Sequence, residues 1–231
     1  IILCSVTPVF RVEAFVGGIR QSQPLKSTYK TPLFEVTILK IAIIGKGNVG
    51  SALQSGLSRA GHETRFGHRD PNESVEEAAK WGEVIIIAVP YNNSDDAREN
   101  IKPYADGKIV IDVMNAIGAY MDLGINCSSS TAEETQRKLP NAHVVKAFNT
   151  VFAPNQSTAK LGDTQLTAFF AGDDAGAKQT VAQLTRDMGF DPVDCGPLRN
   201  ARYLEAMGIM LINLAFKFGM GNKIGYKLIK V

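Results

Sequence analysis

Residues 41–50 read Ile41-Ala42-Ile43-Ile44-Gly45-Lys46-Gly47-Asn48-Val49-Gly50, and Ser51 to Ala60 continues with helical spacing. A short apolar run thus enters a G-x-G-x-x-G turn that opens straight into a helix. Gly45 permits the tight turn, Gly47 puts no side chain between the backbone and a pyrophosphate, and Gly50 lets the helix pack closely on the strand. The first N–H groups of the helix have no intrahelical acceptor and face the phosphates. The strand–turn–helix context separates a dinucleotide site from an incidental glycine-rich turn.

The next apolar run, Glu63 to Phe66, is predicted to be the second strand. A dinucleotide site usually has an acid at its end, accepting hydrogen bonds from the ribose 2′-OH. Here the chain runs Gly67-His68-Arg69-Asp70-Pro71. A guanidinium suits a dianionic 2′-phosphate, so His68 and Arg69 point to NADP. Asp70 keeps two alternatives open, service to NAD or a local pair with Arg69. An ordinary solvated charged turn is the third reading.

From residue 38 apolar runs alternate with helical stretches. Strands are predicted at 40–44, 63–66, 84–89, 108–112, 143–148, 167–171 and 191–194. Helices are predicted at 51–60, 74–80, 94–101, 131–139 and 174–188, with Thr131/Glu134 at capping-box spacing and Asp173/Asp174 capping the last. Near-continuous Val/Ile runs fit parallel strands buried on both faces. The alternation specifies an α/β protein with a Rossmann-type doubly wound parallel sheet. Leu204, Met207, Leu211, Leu214 and Phe218 then recur at helical spacing, so a helix is expected from Asn200 to Phe218, ended by Gly219 and Gly221. This small C-terminal helical part packs on its own sheet, against a second subunit, or both. The expected organisation is an extension over 1–37, a nucleotide-binding domain over 38–198, and a C-terminal helix and tail over 199–231.

The 231 residues carry a net charge of +2, with 45% hydrophobic and 21% charged residues. That balance gives no electrostatic footprint for nucleic acid or an anionic membrane. No apolar window reaches membrane-spanning length. Cys4, Cys127 and Cys195 are widely spaced, which argues against a disulfide framework or zinc site and fits a reducing, cytoplasmic setting. Residues 1–37 are basic and rich in Ser, Thr, Gln and Pro, which also fits an organelle-targeting segment.

Ligands of open parallel sheets bind beyond the carboxyl ends of the strands. The loops there are Val89-Pro90-Tyr91-Asn92, 112–116 and 146–150. Asn115 and Asn149 each donate and accept, which suits a carboxamide or ring carbonyl. Tyr91 and Phe148 offer flat surfaces for a ring. Asn in a turn also caps backbone groups, and Phe148 also reads as core. No Ser/His/Asp spacing, acid pair or metal cluster stands out, so no catalytic side chain is nominated. Hydride transfer between two bound rings needs orientation and no protein acid or base.

In combination these stretches resemble the F420-dependent NADP oxidoreductase family over about residues 40–230. The resemblance rests on the glycine turn, 67–71, Ala88-Val89-Pro90-Tyr91, Val144 to Thr150, 171–174 and 189–202. It implies a Rossmann domain with a small C-terminal part, a homodimer, and hydride exchange between NADP and a deazaflavin. By position, Lys46, Gly47, Asn48 and Val49 would hold the pyrophosphate, and His68 and Arg69 the 2′-phosphate, with His68 where the family has serine. Val89, Pro90 and Ala147 would lie beside the nicotinamide. Ala147-Phe148-Asn149-Thr150 replaces the Ala-Leu-His-Thr of archaeal members and is similar to bacterial relatives and the STEAP reductase domain, where NADPH reduces a flavin. The expected function is therefore an NADPH-dependent oxidoreductase acting on F420, FMN or FAD. Cofactor contacts are assigned to Gly45 through Val49, His68, Arg69, Val89, Pro90, Asn115 and Ala147, and substrate contacts to Tyr91, Phe148 and Asn149. A non-catalytic dinucleotide sensor is the alternative. So is a reductase of a small imine or carbonyl, for which Tyr91 is the candidate proton donor.

Overall fold

Alternation within single strands builds both layers of the protein. In the computed structural model, which describes residues 37–118, 120–125 and 127–230, Ile41 and Ile43 of β1 (Lys40–Ile44) face one side of a sheet and Ala42 and Ile44 the other. The first face packs against Leu53 and Leu57 of α1 (Asn48–Arg59) and Val181 and Leu184 of α6 (Ala175–Asp187). The second packs against α2 (Val75–Trp81), α3 (Ser94–Ile101) and α4 (Thr131–Lys138) through Ala78, Ala97, Ile101 and Ala132. Each buried Ile or Leu side chain contributes about 1.5–3 kcal/mol. The described residues lie in one compact unit, Thr37–Val231. The extension expected at 1–37 falls, apart from residue 37, outside them.

The seven-stranded sheet has the order β2-β1-β3-β4-β5-β8-β9, where β2 is Glu63–Gly67, β3 Val84–Ile87, β4 Ile109–Asp112, β5 His143–Ala147, β8 Thr167–Gly172 and β9 Asp191–Asp194. β2 and β3 flank β1 on opposite sides, so the switch point lies above the carboxyl ends of β1 and β3. The fold is Rossmann-like and mostly parallel, with one departure from the expected all-parallel sheet. β8 runs antiparallel to β5, while β9 is parallel to β8. The connection after β5 carries only the four-residue α5 (Ala153–Gln156) and a hairpin of β6 (Lys160–Leu161) and β7 (Thr164–Gln165). Without a full crossover helix, β8 starts at the end where β5 finished.

Two local expectations shift. The capping box of α4 is one residue earlier: Ser130 Oγ accepts from the Glu133 N–H and donates to its carboxylate. Thr131 turns its hydroxyl inward instead. The C-terminal helix α7 (Ala201–Ile212) continues as a π-helical turn, Asn213–Lys217, and Gly219 and Gly221 end it at positive φ. Leu204 and Leu211 are buried as expected, but Phe218 is 70% exposed. The wider π turn rotates it off the face that 204 and 211 define.

Candidate active site

The three glycines of the turn have different surroundings. A Cβ on Gly45, which has φ +110°, would lie 2.3 Å from the Ala88 carbonyl oxygen, and one on Gly50 would lie 2.1 Å from that of Gly45. Gly47 has nothing within 4 Å of a built Cβ. Gly45 holds the turn against the end of β3, Gly50 holds the start of α1 against Gly45 and β1, and the middle one opens onto a cleft. Gly47 caps α1 without a side chain, and the helical ladder begins with the Ser51 N–H to the Gly47 oxygen. The N–H groups before it are free for an anion.

That cleft is a cavity of about 1260 Å³ above the switch point, closed on its far side by α7. It brings together Gly47, Asn48, Val49, Val89, Pro90, Tyr91, Asn115, Phe148 and Asn149. It does not include Gly45, Lys46, His68, Arg69 or Ala147. Ala147 is buried in the core beneath, and Phe148, also buried, packs on Phe190 with ring centroids 6.1 Å apart. Phe148 takes φ +61°, an uncommon conformation for a bulky residue. No side chain among the described residues lining the cleft is charged.

His68 and Arg69 border a second cavity, of about 560 Å³, with Asp70, Ser74 and Tyr104. The His68 N–H donates to the Glu73 carbonyl, and Asp70 caps the next turn by accepting from the Asn72 N–H at 2.9 Å. Among the described residues Arg69 forms no ion pair, with Asp70 or any other acid. The Lys46 ammonium sits 2.5 Å from Glu73 and 5.3 Å from the centre of the Phe66 ring. Its side chain therefore points to the end of β2.

Asn115 and Asn149 are mutually bound. The Asn149 Nδ2 donates to Asn115 Oδ1 and to the Leu204 carbonyl, each at 2.8 Å, and Asn115 Nδ2 donates to the Asn149 carbonyl at 3.0 Å. Both Nδ2 hydrogens of Asn149 are thus engaged inside the protein, while Asn115 Nδ2 uses one of its two. A Cβ on Gly208 of α7 would lie 2.6 Å from Asn115 Oδ1, so glycine is what lets α7 close over this pair. Tyr91 Oη donates to the Glu134 carboxylate at 3.2–3.3 Å. Burial, then the adjacent Glu134 charge, raises the phenol above its ordinary pKa.

Beneath the cleft lies an ionic hub that sequence reasoning missed. Lys146 of β5 is fully buried, and its three N–H donors are shared among Asp112 (3.0 Å), Glu205 (2.8 Å), Thr131 Oγ1 (2.7 Å) and the Met114 carbonyl. Thr135 bonds Asp112, and buried Arg98 bonds Thr135 and the Thr131 carbonyl. The hub ties β4, β5, α4 and α7 together under Asn115. Its one signal in the sequence is a lysine inside the apolar run Val144-Val145-Lys146-Ala147.

Fold and cleft together define a Rossmann-type protein with a dinucleotide-type glycine turn at its switch point. Residues 40–116 match the family described as NADP oxidoreductase, coenzyme F420-dependent. Over 213 residues the chain is 29% identical to an F420-dependent NADP reductase of Methanothermobacter marburgensis, covering 78% of this chain and 93% of that one. It is 31% identical over 186 residues to the metalloreductase STEAP3 of Rattus norvegicus, covering 75% of this chain but only 37% of that one. A crystal structure from Arthrobacter sp. FB24, described as a candidate F420-dependent NADP-reductase, superposes with a TM-score of 0.74 at 27% identity, covering 83% of this chain and all of that one. The chain is thus a relative of the F420-dependent NADP reductases and the STEAP metalloreductases, as the sequence resemblance implied. No helix among the described residues is long and apolar enough to cross a membrane.

Proposed function

We propose that the protein passes a hydride between NADP(H) and a flavin or deazaflavin ring. The observation that carries this reading is the uncharged cleft, which runs from the open N-terminus of α1 past Val89 and Pro90 to α7. At about 1260 Å³ it exceeds what a nicotinamide needs and has room for a second ring. In this reading the N–H groups of Asn48 and Val49 hold the pyrophosphate, Arg69 and His68 hold the 2′-phosphate, and Val89, Pro90 and Asn115 border the nicotinamide. Tyr91, Phe148 and Asn149 border the acceptor. NADPH bound there would supply a hydride to the acceptor ring and solvent the one proton needed, so NADPH, H⁺ and flavin would give NADP⁺ and reduced flavin.

Tyr91 speaks against reduction of an imine or carbonyl, because its hydroxyl is engaged by Glu134 and its pKa is raised. Exposed Tyr203 and Met210 on α7 support a dimer through that helix, which size-exclusion with light scattering tests. The functional test is NADPH oxidation by purified protein with F420, FMN, FAD or no acceptor, with NADH in parallel. Turnover with one ring acceptor and a preference for NADPH is expected. Tight NADPH binding without turnover on any of them would replace this reading with a dinucleotide sensor.

A further inference from the structure

The ionic hub beneath the cleft is built into two of the cleft's walls. Asp112 Oδ1 accepts the Met114 N–H at 3.0 Å, and the Lys146 ammonium binds the Met114 carbonyl. Both backbone groups of Met114 are thus held by hub side chains, which fixes the turn from Val113 to Asn115 where it lines the cleft. Glu205 brings α7 to the same point. Its Oε1 accepts from Lys146 at 2.8 Å and from the Thr131 N–H at 2.7 Å. Glu205, Gly208 and Ile212 recur at spacings of three and four, so they share one face of α7. Gly208 stands over Asn115, and Gly208 and Ile212 line the cleft. The anchor therefore lies one turn from the wall it holds.

Stability alone does not call for charge here. Taking a lysine and two carboxylates out of water is costly, and an apolar cluster of the same volume would hold the elements at least as firmly. Apolar contacts are non-directional, whereas hydrogen bonds to one oxygen fix distance and angle. Lys146, Asp112 and Glu205 are buried and none of them lines the cleft, so they touch no ligand. We propose that Glu205, acting through Lys146, is a positioning residue of the candidate active site. It sets the depth at which α7 and the 113–115 turn enclose the nicotinamide of a bound dinucleotide. This rests on the function proposed above, in which Asn115 borders the nicotinamide, and adds a residue that shapes the site without touching it.

The test uses Glu205→Met and Glu205→Gln. Methionine removes the anchor but leaves Lys146 paired with Asp112, so no buried cation is stranded. Glutamine keeps an oxygen to accept the same bonds. Melting curves establish that the variants fold. Each is titrated with NADPH and with 2′,5′-ADP, which carries adenosine and the 2′-phosphate but no nicotinamide, and is assayed for NADPH oxidation with F420, FMN and FAD. Glu205→Met should raise the NADPH Kd about three- to tenfold while the 2′,5′-ADP Kd stays within about twofold of wild type. Its kcat should fall at least about tenfold, the scale of a misplacement of less than 1 Å. Glu205→Gln should stand between Glu205→Met and wild type in both. Equal weakening of NADPH and 2′,5′-ADP would reduce Glu205 to a structural role and overturn the inference. So would a Met variant unchanged in NADPH binding, or a Gln variant no better than Met. If wild type turns over none of the three acceptors, the hydride reading falls, and the paired titrations still decide whether Glu205 positions the nicotinamide end of the site.

Discussion

Gly45, Gly47 and Gly50 look equivalent in the sequence and are not equivalent in space, which gives the turn a clean test. A methyl at Gly50 collides with the Gly45 carbonyl, so Gly50→Ala should destabilise the fold by about 1–3 kcal/mol, the cost of overpacking. A methyl at Gly47 meets nothing. Gly47→Ala should therefore stay within about 0.5 kcal/mol of wild type in a denaturant melt, yet weaken NADPH at least about tenfold by holding the pyrophosphate off the helix N–H groups. If Gly47→Ala binds NADPH like wild type, the phosphates lie elsewhere. Arg69 carries the second residue-scale prediction. Because Arg69 forms no ion pair among the described residues, the guanidinium is available to a 2′-phosphate. Arg69→Ala should cost NADPH about 1.5–3 kcal/mol of binding and leave NADH nearly unchanged. An equal loss for both cofactors in isothermal titration would remove the NADP assignment.

Elements were legible where their cause was local. Each of the seven main strands was read within two residues; for β1, β3, β4 and β5 the reason is a run rich in Val and Ile, which has few other uses than a doubly covered strand. α5 and the β6–β7 hairpin were not read, since 152–166 has neither helical nor alternating periodicity, and the reversal of β8 depends on them. Ser130/Glu133 and Thr131/Glu134 satisfy the same capping spacing, and only the burial of Thr131 against Asp112 and Glu205 decides between them. The hub itself could not be read, because Lys146 meets Asp112 and Glu205 across separations of 34 and 59 residues. Lys146→Met leaves two buried carboxylates without their cation and should cost about 3–5 kcal/mol; a chemical melt near wild type would mean that water reaches the site. The clamp between α4 and α7 gives a pH prediction. Burial raises the Glu133 pKa, but hydrogen bonds from Arg202 and Ser130 outweigh it and hold the carboxyl below its ordinary value. A depressed carboxylate stabilises the fold above its unfolded pKa, and that contribution is lost as the pH falls through the folded one. Arg202→Met should lower Tm at pH 7 only slightly, given the exposure of the arginine. The gap should close as the pH falls through the carboxylate range, from about 5 to 3. A gap constant from pH 7 to pH 3 would assign Arg202 a packing role only.

For the whole molecule, the distribution of charge matters more than its sum. A net charge of +2 gives little long-range attraction for an anionic cofactor. The large cleft is lined without charge, while Arg69 and His68 stand at a separate cavity at the end of β2. In the function proposed above, cofactor binding is divided among helix N–H groups for the pyrophosphate, a cation at the surface for the 2′-phosphate, and an uncharged enclosure for the rings. These parts respond differently to salt. The screening length falls from about 10 Å at 0.1 M to about 3 Å at 1 M, so an exposed guanidinium–phosphate pair weakens over that range. Short hydrogen bonds from N–H groups change less, and apolar ring contacts hold or strengthen. Titrations across about 0.05–1 M NaCl should raise the NADPH Kd roughly three- to tenfold. NADH should move much less, and the acceptor KM should not rise. Arg69→Ala should flatten the NADPH curve onto that of NADH, because the screened pair is then gone. Were NADPH and NADH to weaken in parallel in wild type, the salt-sensitive contact would be to the shared pyrophosphate, and the cation selecting the 2′-phosphate would have to be sought away from β2.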